Sequence, residues 1–248
     1  AKEQLNKMHD SRRDGILEGI IFDNDGVMSR SAPRQYQWFQ YWAQANGRTL
    51  PYASFEEFLT DYNDILHKAE DISGGVQNFY DKHGLPCNMK DLPNPTISKP
   101  GHPVWTAYNE FKERNPLGLV PGMKDTLEMI YRLGALTPKE STIPTRLRMG
   151  INSTNVWTTI GKELEKEGVL QYFDSQISIE MLREIHGHGD GNALNKPSTV
   201  SIAWMLYHLG TAGNNTMHVG DTRADLASSK NVLLPGASPV NRKDLIVV

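Results

Sequence analysis

Short apolar runs alternate with helix-length segments in this chain, and this alternation limits the possible folds more than any other feature of the sequence. The runs are EGIIF, which ends at Phe22, RMGINS, SQISI, TMHVG and the final DLIVV. Their length and composition are typical of buried strands, whereas the segments between them have a helical pattern. Because parallel strands are joined by crossovers that are usually helical, the sequence predicts an α/β fold, with a Rossmann-like parallel sheet and helices on both faces.

The stretch from about residue 31 to residue 117 has a different character, because it is mostly helical in pattern and rich in aromatic residues. Ser54 and Glu57 have the spacing of a capping box ahead of one helix. We therefore expect a core domain made of residues 1–30 and 118–248, interrupted by an α-helical cap domain at residues 31–117. Helical spacing favours core packing over a ligand platform for the aromatic residues that begin the cap. They are Tyr36, Trp38, Phe39, Tyr41 and Trp42.

Composition excludes several classes of protein. The 248 residues carry a net charge of −3 and the pI is near 6.3, so the basic character of a nucleic-acid-binding protein is missing. The single cysteine, Cys87, rules out a disulfide within the chain and fits a reducing compartment. No uncharged apolar run approaches the length that spans a bilayer. We expect a cytoplasmic protein that has neither nucleic-acid nor membrane partners.

Polar motifs follow three of the predicted strands directly. DNDGV at residues 23–27 follows EGIIF, STN at residues 153–155 follows RMGIN, and GDTRAD at residues 220–225 follows TMHV. A fourth motif, Lys196-Pro197, opens a predicted helix. Because ligands bind at the carboxyl ends of the strands in an open parallel sheet, these motifs are expected to meet at one site.

The residue types in these motifs fit the chemistry of phosphoryl transfer. Asp23, Asp25, Asp221 and Asp225 would repel one another without a cation, and their hard oxygen ligands suit Mg²⁺. The hydroxyl of Thr154 and the charge of Lys196 suit the non-bridging oxygens of a phosphate. Phosphoryl transfer requires mainly positioning and charge neutralisation, which such a set supplies.

Each motif alone has an ordinary structural explanation. Asp-x-Asp-Gly also occurs in turns and in calcium loops, but a calcium loop needs Glu at its twelfth position, where this chain has Arg34. Thr154 alone is typical of a helix cap, and Lys196 alone is typical of a solvated surface. Only the four motifs together, in this order and each at an element boundary, favour the functional interpretation.

In this order the four motifs resemble the signature of the haloacid dehalogenase superfamily of hydrolases. DNDGV resembles the first motif, INSTN the apolar strand that ends in Thr or Ser, NKPS the Lys-Pro motif, and HVGDTRADL the acidic fourth motif. An insertion directly after the first motif is similar to members with a helical cap, such as phosphoglycolate-phosphatase-like proteins. The resemblance covers the whole predicted core.

The resemblance implies Mg²⁺ as the cofactor and assigns roles to the carboxylates. Asp23, the backbone carbonyl of Asp25, and Asp221 would bind the ion, and Asp225 would support or complete that site. Asp23 would attack phosphorus and become an aspartyl-phosphate, while Asp25 would protonate the leaving oxygen and then activate water. An acid at position 25 points to phosphate esters, because members that release halide or cleave phosphonates lack it.

The same resemblance implies that Thr154, Asn155 and Lys196 bind the phosphate, with Ser153 as the alternative to Thr154. A small phosphorylated metabolite is then the expected substrate, and the cap would select it. A phosphosugar mutase on the same scaffold is the nearest alternative. A signalling receiver module, or a phosphate-binding protein that has lost turnover, are alternatives of another class. Receiver modules are about half this length and have no large insertion, which disfavours the first of these two.

Overall fold

The computed structural model describes residues 17–69, 72–87, 103–134, 147–185, 191–230, 232 and 246–247. Contacts between Cα atoms divide the chain into two compact units. The first, which we call the α/β unit, comprises Ala1–Ser29 and Gly118–Val248, and the second, the helical unit, comprises Arg30–Leu117. No helix in the described ranges is long and apolar enough to cross a membrane.

A five-stranded sheet forms the centre of the α/β unit, with the strand order β3-β2-β1-β4-β5. All of its pairings are parallel, which confirms the predicted α/β fold. The strands are β1 (Gly19–Phe22), β2 (Arg148–Asn152), β3 (Ser175–Ile177), β4 (Thr216–Val219) and β5 (Ile246–Val247). The first strand in sequence is therefore the middle strand of the sheet, and β2 and β4 flank it.

Four helices form the described part of the helical unit. They are α1 (Ser31–Ala45), α2 (Phe55–Lys68), α3 (Ile72–Lys82) and α4 (Pro103–Arg114). The predicted capping box forms in part at the start of α2, because the side chain of Glu57 bonds to Ala53 and not to the N-cap Ser54. There the Glu57 N–H donates to Ser54 Oγ at 3.2 Å, and Glu57 Oε2 accepts the Ala53 N–H at 2.9 Å.

Aromatic side chains fill the core of the helical unit. Trp38 and Phe39 are buried as predicted, and Trp38 Nε1 donates to the Tyr80 hydroxyl at 2.7 Å. Tyr36 and Trp42 are partly buried against the same cluster. Tyr41 is 44% exposed, so the expectation that it belongs to the core is wrong. Helical spacing therefore identified the buried face of α1 correctly but overestimated the width of that face.

The described helices of the α/β unit cover both faces of the sheet. They are α5 (Met123–Gly134), α6 (Trp157–Lys166), α7 (Ile179–Ile185), α8 (Val200–Leu209) and α9 (Arg223–Lys230). Ile21 of β1 packs in one core cluster with residues of α8 such as Ile202. Its neighbours Ile20 and Phe22 pack in a second cluster with residues of α5 and α6. Alternation along β1 thus produces two apolar faces, as the sequence predicted.

The sequence pattern predicts helices from Pro121 to Gly134, from Asn155 to Gly168 with Asn155 as the cap, and from Pro197 to Gly210, and each of them begins later in the structure. The helix predicted from Pro121 begins at Met123, because Gly122 has a φ of +81° and cannot continue it. The helix predicted from Pro197 begins at Val200. Asn155 is not the N-cap of α6, which is Val156, although Asn155 Oδ1 accepts the Val156 N–H at 2.8 Å. The sequence also predicts a polar excursion at TPKESTIPTR and, at HGHGDGN, a loop in preference to a metal site; the excursion and both histidines of that loop, His186 and His188, lie outside the described residues.

The two ends of the inserted segment are held together within the α/β unit. Ser29 forms an antiparallel bridge with Leu119, and the Val120 N–H donates to the Met28 carbonyl at 2.8 Å. The chain therefore leaves the α/β unit and re-enters it at neighbouring positions.

Candidate active site

The first motif forms a tight turn at the end of β1. The carbonyl of Asn24 accepts the N–H groups of Met28, at 3.0 Å, and Ser29, at 2.8 Å. The buried Asn24 Oδ1 accepts the Ser29 hydroxyl at 3.1 Å, and the backbone N–H of Asn24 donates to Asp23 Oδ1 at 2.8 Å. Asn24 therefore supports the turn, so that the carboxylates on either side of it are placed by the backbone.

Gly26 brings the first and fourth motifs into close contact. Its φ of +82° lies in the left-handed region, which glycine adopts without strain. A Cβ atom at this position would lie 2.7 Å from Cγ of Asp221. Only glycine leaves room for the Asp221 carboxylate beside the first motif.

Lys196 forms ion pairs with both the first and the fourth motif. Its Nζ lies 2.7 Å from Asp23 Oδ1 and 2.6 Å from Asp225 Oδ1, and all three side chains are buried. Burial lowers the pKa of Lys196, but the attraction of the two carboxylates outweighs it and the net shift is upward. Burial raises the pKa of Asp225, yet Lys196 and the Thr222 hydroxyl hold it below its usual value. The lysine is therefore a permanent cation between two carboxylates.

Asp23, Asp221 and Asp225 form a cluster of carboxylates. Each offers an oxygen atom within 4.8 Å of the others. Burial raises the pKa of Asp23 to about 7, although the charge of Lys196 opposes this shift. The pKa of Asp221 is also raised, by burial and by the neighbouring charge of Asp225. One lysine does not neutralise these carboxylates, so the cluster fits a hard divalent cation that takes oxygen ligands.

The second motif reaches the same site through Asn155. Its side-chain Nδ2 lies 3.5 Å from Asp25 Oδ2, and its backbone N–H donates to Ser153 Oγ at 3.1 Å. Ser153 is buried directly after β2, where its N–H donates to the Ile177 carbonyl. Thr154 is half-buried in the loop between β2 and α6. The structure thus brings the second motif to the first through Asn155, a residue that the sequence assigned to phosphate binding.

Three residues around Asp225 were not singled out from the sequence. Thr222 donates to Asp225 Oδ2 through its hydroxyl, at 2.5 Å, and through its N–H, at 3.1 Å. His218 of β4 lies 3.9 Å from Asp225 Oδ1 through Nε2, and its Nδ1 lies 2.5 Å from Ser229 Oγ. A histidine inside a short strand, next to Met217 and Val219, is the sequence feature that could have drawn attention to this arrangement.

Solved structures provide the comparison with known proteins. A hydrolase of the haloacid dehalogenase superfamily from Deinococcus radiodurans, with bound phosphate and sodium, is 16% identical with a TM-score of 0.55, over 91% of this chain and 85% of its own. CbbY from Rhodobacter sphaeroides, in complex with xylulose 1,5-bisphosphate, is 17% identical with a TM-score of 0.53, over 87% of this chain and 82% of its own.

A third similar structure, assigned as a hydrolase of the same superfamily from Bacillus subtilis and bound to magnesium, is 12% identical with a TM-score of 0.56. The alignment covers 86% of this chain and 84% of that one. No family model and no curated relative matches the sequence. At these identities the structural similarity establishes the fold: the chain has the fold of the haloacid dehalogenase superfamily.

Proposed function

We propose that this protein is a Mg²⁺-dependent phosphatase that hydrolyses a small phosphorylated metabolite through an aspartyl-phosphate on Asp23. One observation carries the proposal: the ammonium group of Lys196 lies between Asp23 and Asp225, inside a cluster of three carboxylates. Such a site combines a nucleophile, a cation for phosphate oxygens and oxygen ligands for a metal. The fold shared with phosphate-bound and magnesium-bound hydrolases supports the same reaction class.

The carboxylate cluster supports Mg²⁺ as the cofactor. Asp23, Asp221 and the backbone carbonyl of Asp25 would hold the ion, and Asp225 would support it through Lys196 and Thr222. The bound ion would neutralise charge on the phosphate and keep Asp23 ionised. Without it, burial favours the protonated and non-nucleophilic form of Asp23.

Asp23 and Asp25 divide the chemistry between them. A carboxylate oxygen of Asp23 forms a bond to phosphorus while the bond to the ester oxygen breaks, and Asp25 gives that oxygen a proton. Asp25, now ionised, takes a proton from water, which attacks the aspartyl-phosphate and releases inorganic phosphate. Asn155 orients Asp25, because its amide group faces Asp25 Oδ2 at 3.5 Å.

The phosphate group would be held by Lys196 and by a hydroxyl of the second motif. Lys196 already lies 2.7 Å from the nucleophile, so its charge acts on any phosphate bound there. Thr154 is the proposed hydroxyl donor and Ser153 stays the alternative, since a hydroxyl that accepts the Asn155 N–H can still donate its own proton. Substrate selection would lie in the helical unit, which serves as the cap.

A phosphosugar mutase is the second candidate, and a solved structure of similar fold that is described as a β-phosphoglucomutase from Thermotoga maritima favours it. In a mutase the phosphoryl group returns from Asp23 to a sugar hydroxyl instead of passing to water. Release of inorganic phosphate from sugar monophosphates, in amounts equal to the substrate consumed, would decide for the phosphatase. Isomerisation of the sugar phosphate without such release would decide for the mutase.

Hydrolysis of p-nitrophenyl phosphate tests the proposal directly. We expect turnover that requires Mg²⁺, is abolished by EDTA and falls at least about 1,000-fold in Asp23→Asn, because the nucleophile is lost. Asp64→Asn is the matched control, since Asp64 is an exposed residue of α2 in an ion pair with Lys68. An Asp23→Asn variant as active as Asp64→Asn would contradict the proposal.

A further inference from the structure

A buried histidine that the proposed reaction does not use lies next to the carboxylate cluster. His218 is fully buried in β4, where it pairs in register with Ile21 of β1. Its Nδ1 is 2.5 Å from Ser229 Oγ, a buried hydroxyl of α9. Its Nε2 is buried and has no hydrogen-bond partner within the described part of the chain. A buried polar atom without a partner is costly, which calls for an explanation.

The surroundings of the ring determine which nitrogen carries the proton. Nε2 lies 3.9 Å from Asp225 Oδ1, so a bare nitrogen there would direct its lone pair at a carboxylate. A proton on Nε2 directs a positive dipole at the same oxygen, and the Ser229 hydroxyl then donates to Nδ1. The hydrogen-bond arrangement therefore assigns the proton to Nε2.

The oxygen that Nε2 faces is the one that Lys196 holds. Asp225 Oδ1 lies 2.6 Å from Lys196 Nζ, whereas Asp225 Oδ2 accepts both donors of Thr222. Lys196 is shared with Asp23 at 2.7 Å, and a phosphate bound at Asp23 would compete for the same ammonium group. Among the described residues, the N–H of His218 is then a donor that faces Asp225 Oδ1, at 3.9 Å.

We propose that His218, with its tautomer fixed by Ser229, is a positioning residue that keeps the Asp225 carboxylate in place while Lys196 binds phosphate. The role of Lys196 rests on the proposed function, but the tautomer and the metal affinity do not. A neutral ring is suited to this task, since a second cation would weaken the attraction between Lys196 and its carboxylates.

Long-range ¹H–¹⁵N NMR of the full-length, metal-free protein tests the tautomer. We expect His218 to show the Nε2–H pattern near neutral pH, and Ser229→Ala to lose this single pattern because Nδ1 no longer has its donor. Ser201→Ala is the matched control, since Ser201 is equally buried and its hydroxyl has no partner among the described residues. A wild-type ring that carries its proton on Nδ1 would overturn the proposal.

Mg²⁺ affinity tests the consequence for the site. Replacement of residues that orient metal ligands typically costs 10- to 100-fold in affinity, so we expect about 10-fold weaker binding in His218→Leu. His218→Gln, whose amide N–H reaches about as far as Nε2, should recover affinity to within about 3-fold of wild type, whereas His218→Asn, which reaches only as far as Nδ1, should not. Equal affinities in wild type and His218→Leu would refute the positioning role.

The outcomes separate this inference from the proposed function. If His218→Leu does not fold, Ser229→Ala replaces it in the comparison of Mg²⁺ affinities, because this variant keeps the imidazole ring of His218. An Mg²⁺ affinity equal to that of the wild type in Ser229→Ala would also refute the positioning role of His218. A wild-type protein without phosphatase activity, but with the Nε2–H tautomer and weakened Mg²⁺ binding in His218→Leu, refutes the proposed function alone. An active wild type with an active, tightly binding His218→Leu refutes this inference alone.

Discussion

Asp23 combines a buried position with a charge that the proposed reaction requires. Burial raises its pKa to about 7, and Lys196 compensates only in part. Mg²⁺ binds the ionised carboxylate of Asp23, so a proton and Mg²⁺ compete for this group at pH values below its pKa. Above that pKa the carboxylate is already ionised and there is no proton to displace. We therefore expect Mg²⁺ affinity to rise up to about tenfold per pH unit from about pH 5 to pH 7 and to level off above. Isothermal titration calorimetry across this range measures the effect.

Proton release provides the control for that prediction. Calorimetry in two buffers of different ionisation enthalpy should reveal a proton released on Mg²⁺ binding below about pH 7 in the wild type. Asp23→Asn has no proton to release at this position, so its weaker binding should change less with pH than that of the wild type, and Asp221, whose pKa is also raised, accounts for the change that remains. An affinity that is flat with pH in the wild type would show that Asp23 does not titrate in this range.

Gly26 offers a second prediction at the residue scale. Alanine there would meet the Asp221 carboxylate, in addition to the strain of a φ of +82°. Gly47 has a φ of +66° but nothing within 4 Å of its Cβ position, so Gly47→Ala measures the strain alone. Both variants should lose about 1–2 kcal/mol of stability through strain. Only Gly26→Ala should also weaken Mg²⁺ binding, by about tenfold or more, as measured by the Mg²⁺-dependent rise in melting temperature.

If Gly47→Ala weakened Mg²⁺ binding as much as Gly26→Ala, the effect would come from general destabilisation. The close contact between Gly26 and Asp221 would then not explain the weaker Mg²⁺ binding of Gly26→Ala. Comparison at equal melting temperature, adjusted with low concentrations of urea, separates the two explanations.

Strands were easier to predict than helix boundaries. β1 was readable because EGIIF is a short apolar run that ends at an acidic turn. The start of α8 was not readable, because the segment after Pro197 first forms a turn in which the Ser198 N–H donates to the Asn195 carbonyl at 2.7 Å. α7 was not predicted at all, since its seven residues are too few to show a helical period. Local pattern reveals an element, whereas tertiary contacts decide where it begins.

The residues of the candidate site also differ in how readily the sequence suggests them. Asp23, Asp25, Lys196, Asp221 and Asp225 could be proposed from the sequence because their spacing along the chain resembles a known motif. His218 and Ser229 could not, because their proposed role depends on a contact between β4 and α9, which no local pattern records. Local spacing thus suggests candidate chemical groups, whereas candidate positioning residues require the tertiary structure.

The N-terminus of α2 gives a prediction at the scale of one element. The Ser54 hydroxyl accepts the Glu57 N–H, and this bond is lost in Ser54→Ala, which should destabilise the protein by about 1 kcal/mol. Thr60→Ala is the matched control, because Thr60 is exposed within the same helix and its hydroxyl bonds only to the Glu56 carbonyl. Alanine is the better helix former, so this variant should change stability by less than about 0.5 kcal/mol.

Urea denaturation followed by circular dichroism measures both changes. Equal losses in the two variants would mean that a hydroxyl group anywhere in α2 matters, and the capping interaction would not explain the effect of Ser54→Ala.

At the scale of the whole molecule, the bridge between Ser29 and Leu119 predicts that the α/β unit can fold without the helical unit. Both ends of residues 30–117 meet at this bridge, so a short Gly-Ser linker can close the gap at a small entropic cost. We expect the shortened protein to unfold cooperatively and to keep Mg²⁺ affinity within about threefold of the full chain. Calorimetry and denaturation measure these properties.

The full chain is the reference for this experiment, and a second shortened protein with Asp221→Asn tests whether any retained metal binding uses the same site. A shortened protein that is unfolded, or that binds no Mg²⁺, would show that the α/β unit depends on the inserted segment.

β1 is hydrogen-bonded on both sides, to β2 and to β4, and Asp23 follows directly from it. A strand in this position cannot fray independently, so its amides should be among the slowest to exchange with deuterium, and its loss should coincide with global unfolding. If the proposed function holds, turnover should persist until the α/β unit unfolds. Residual activity after heating would then measure the fraction of molecules that are still folded.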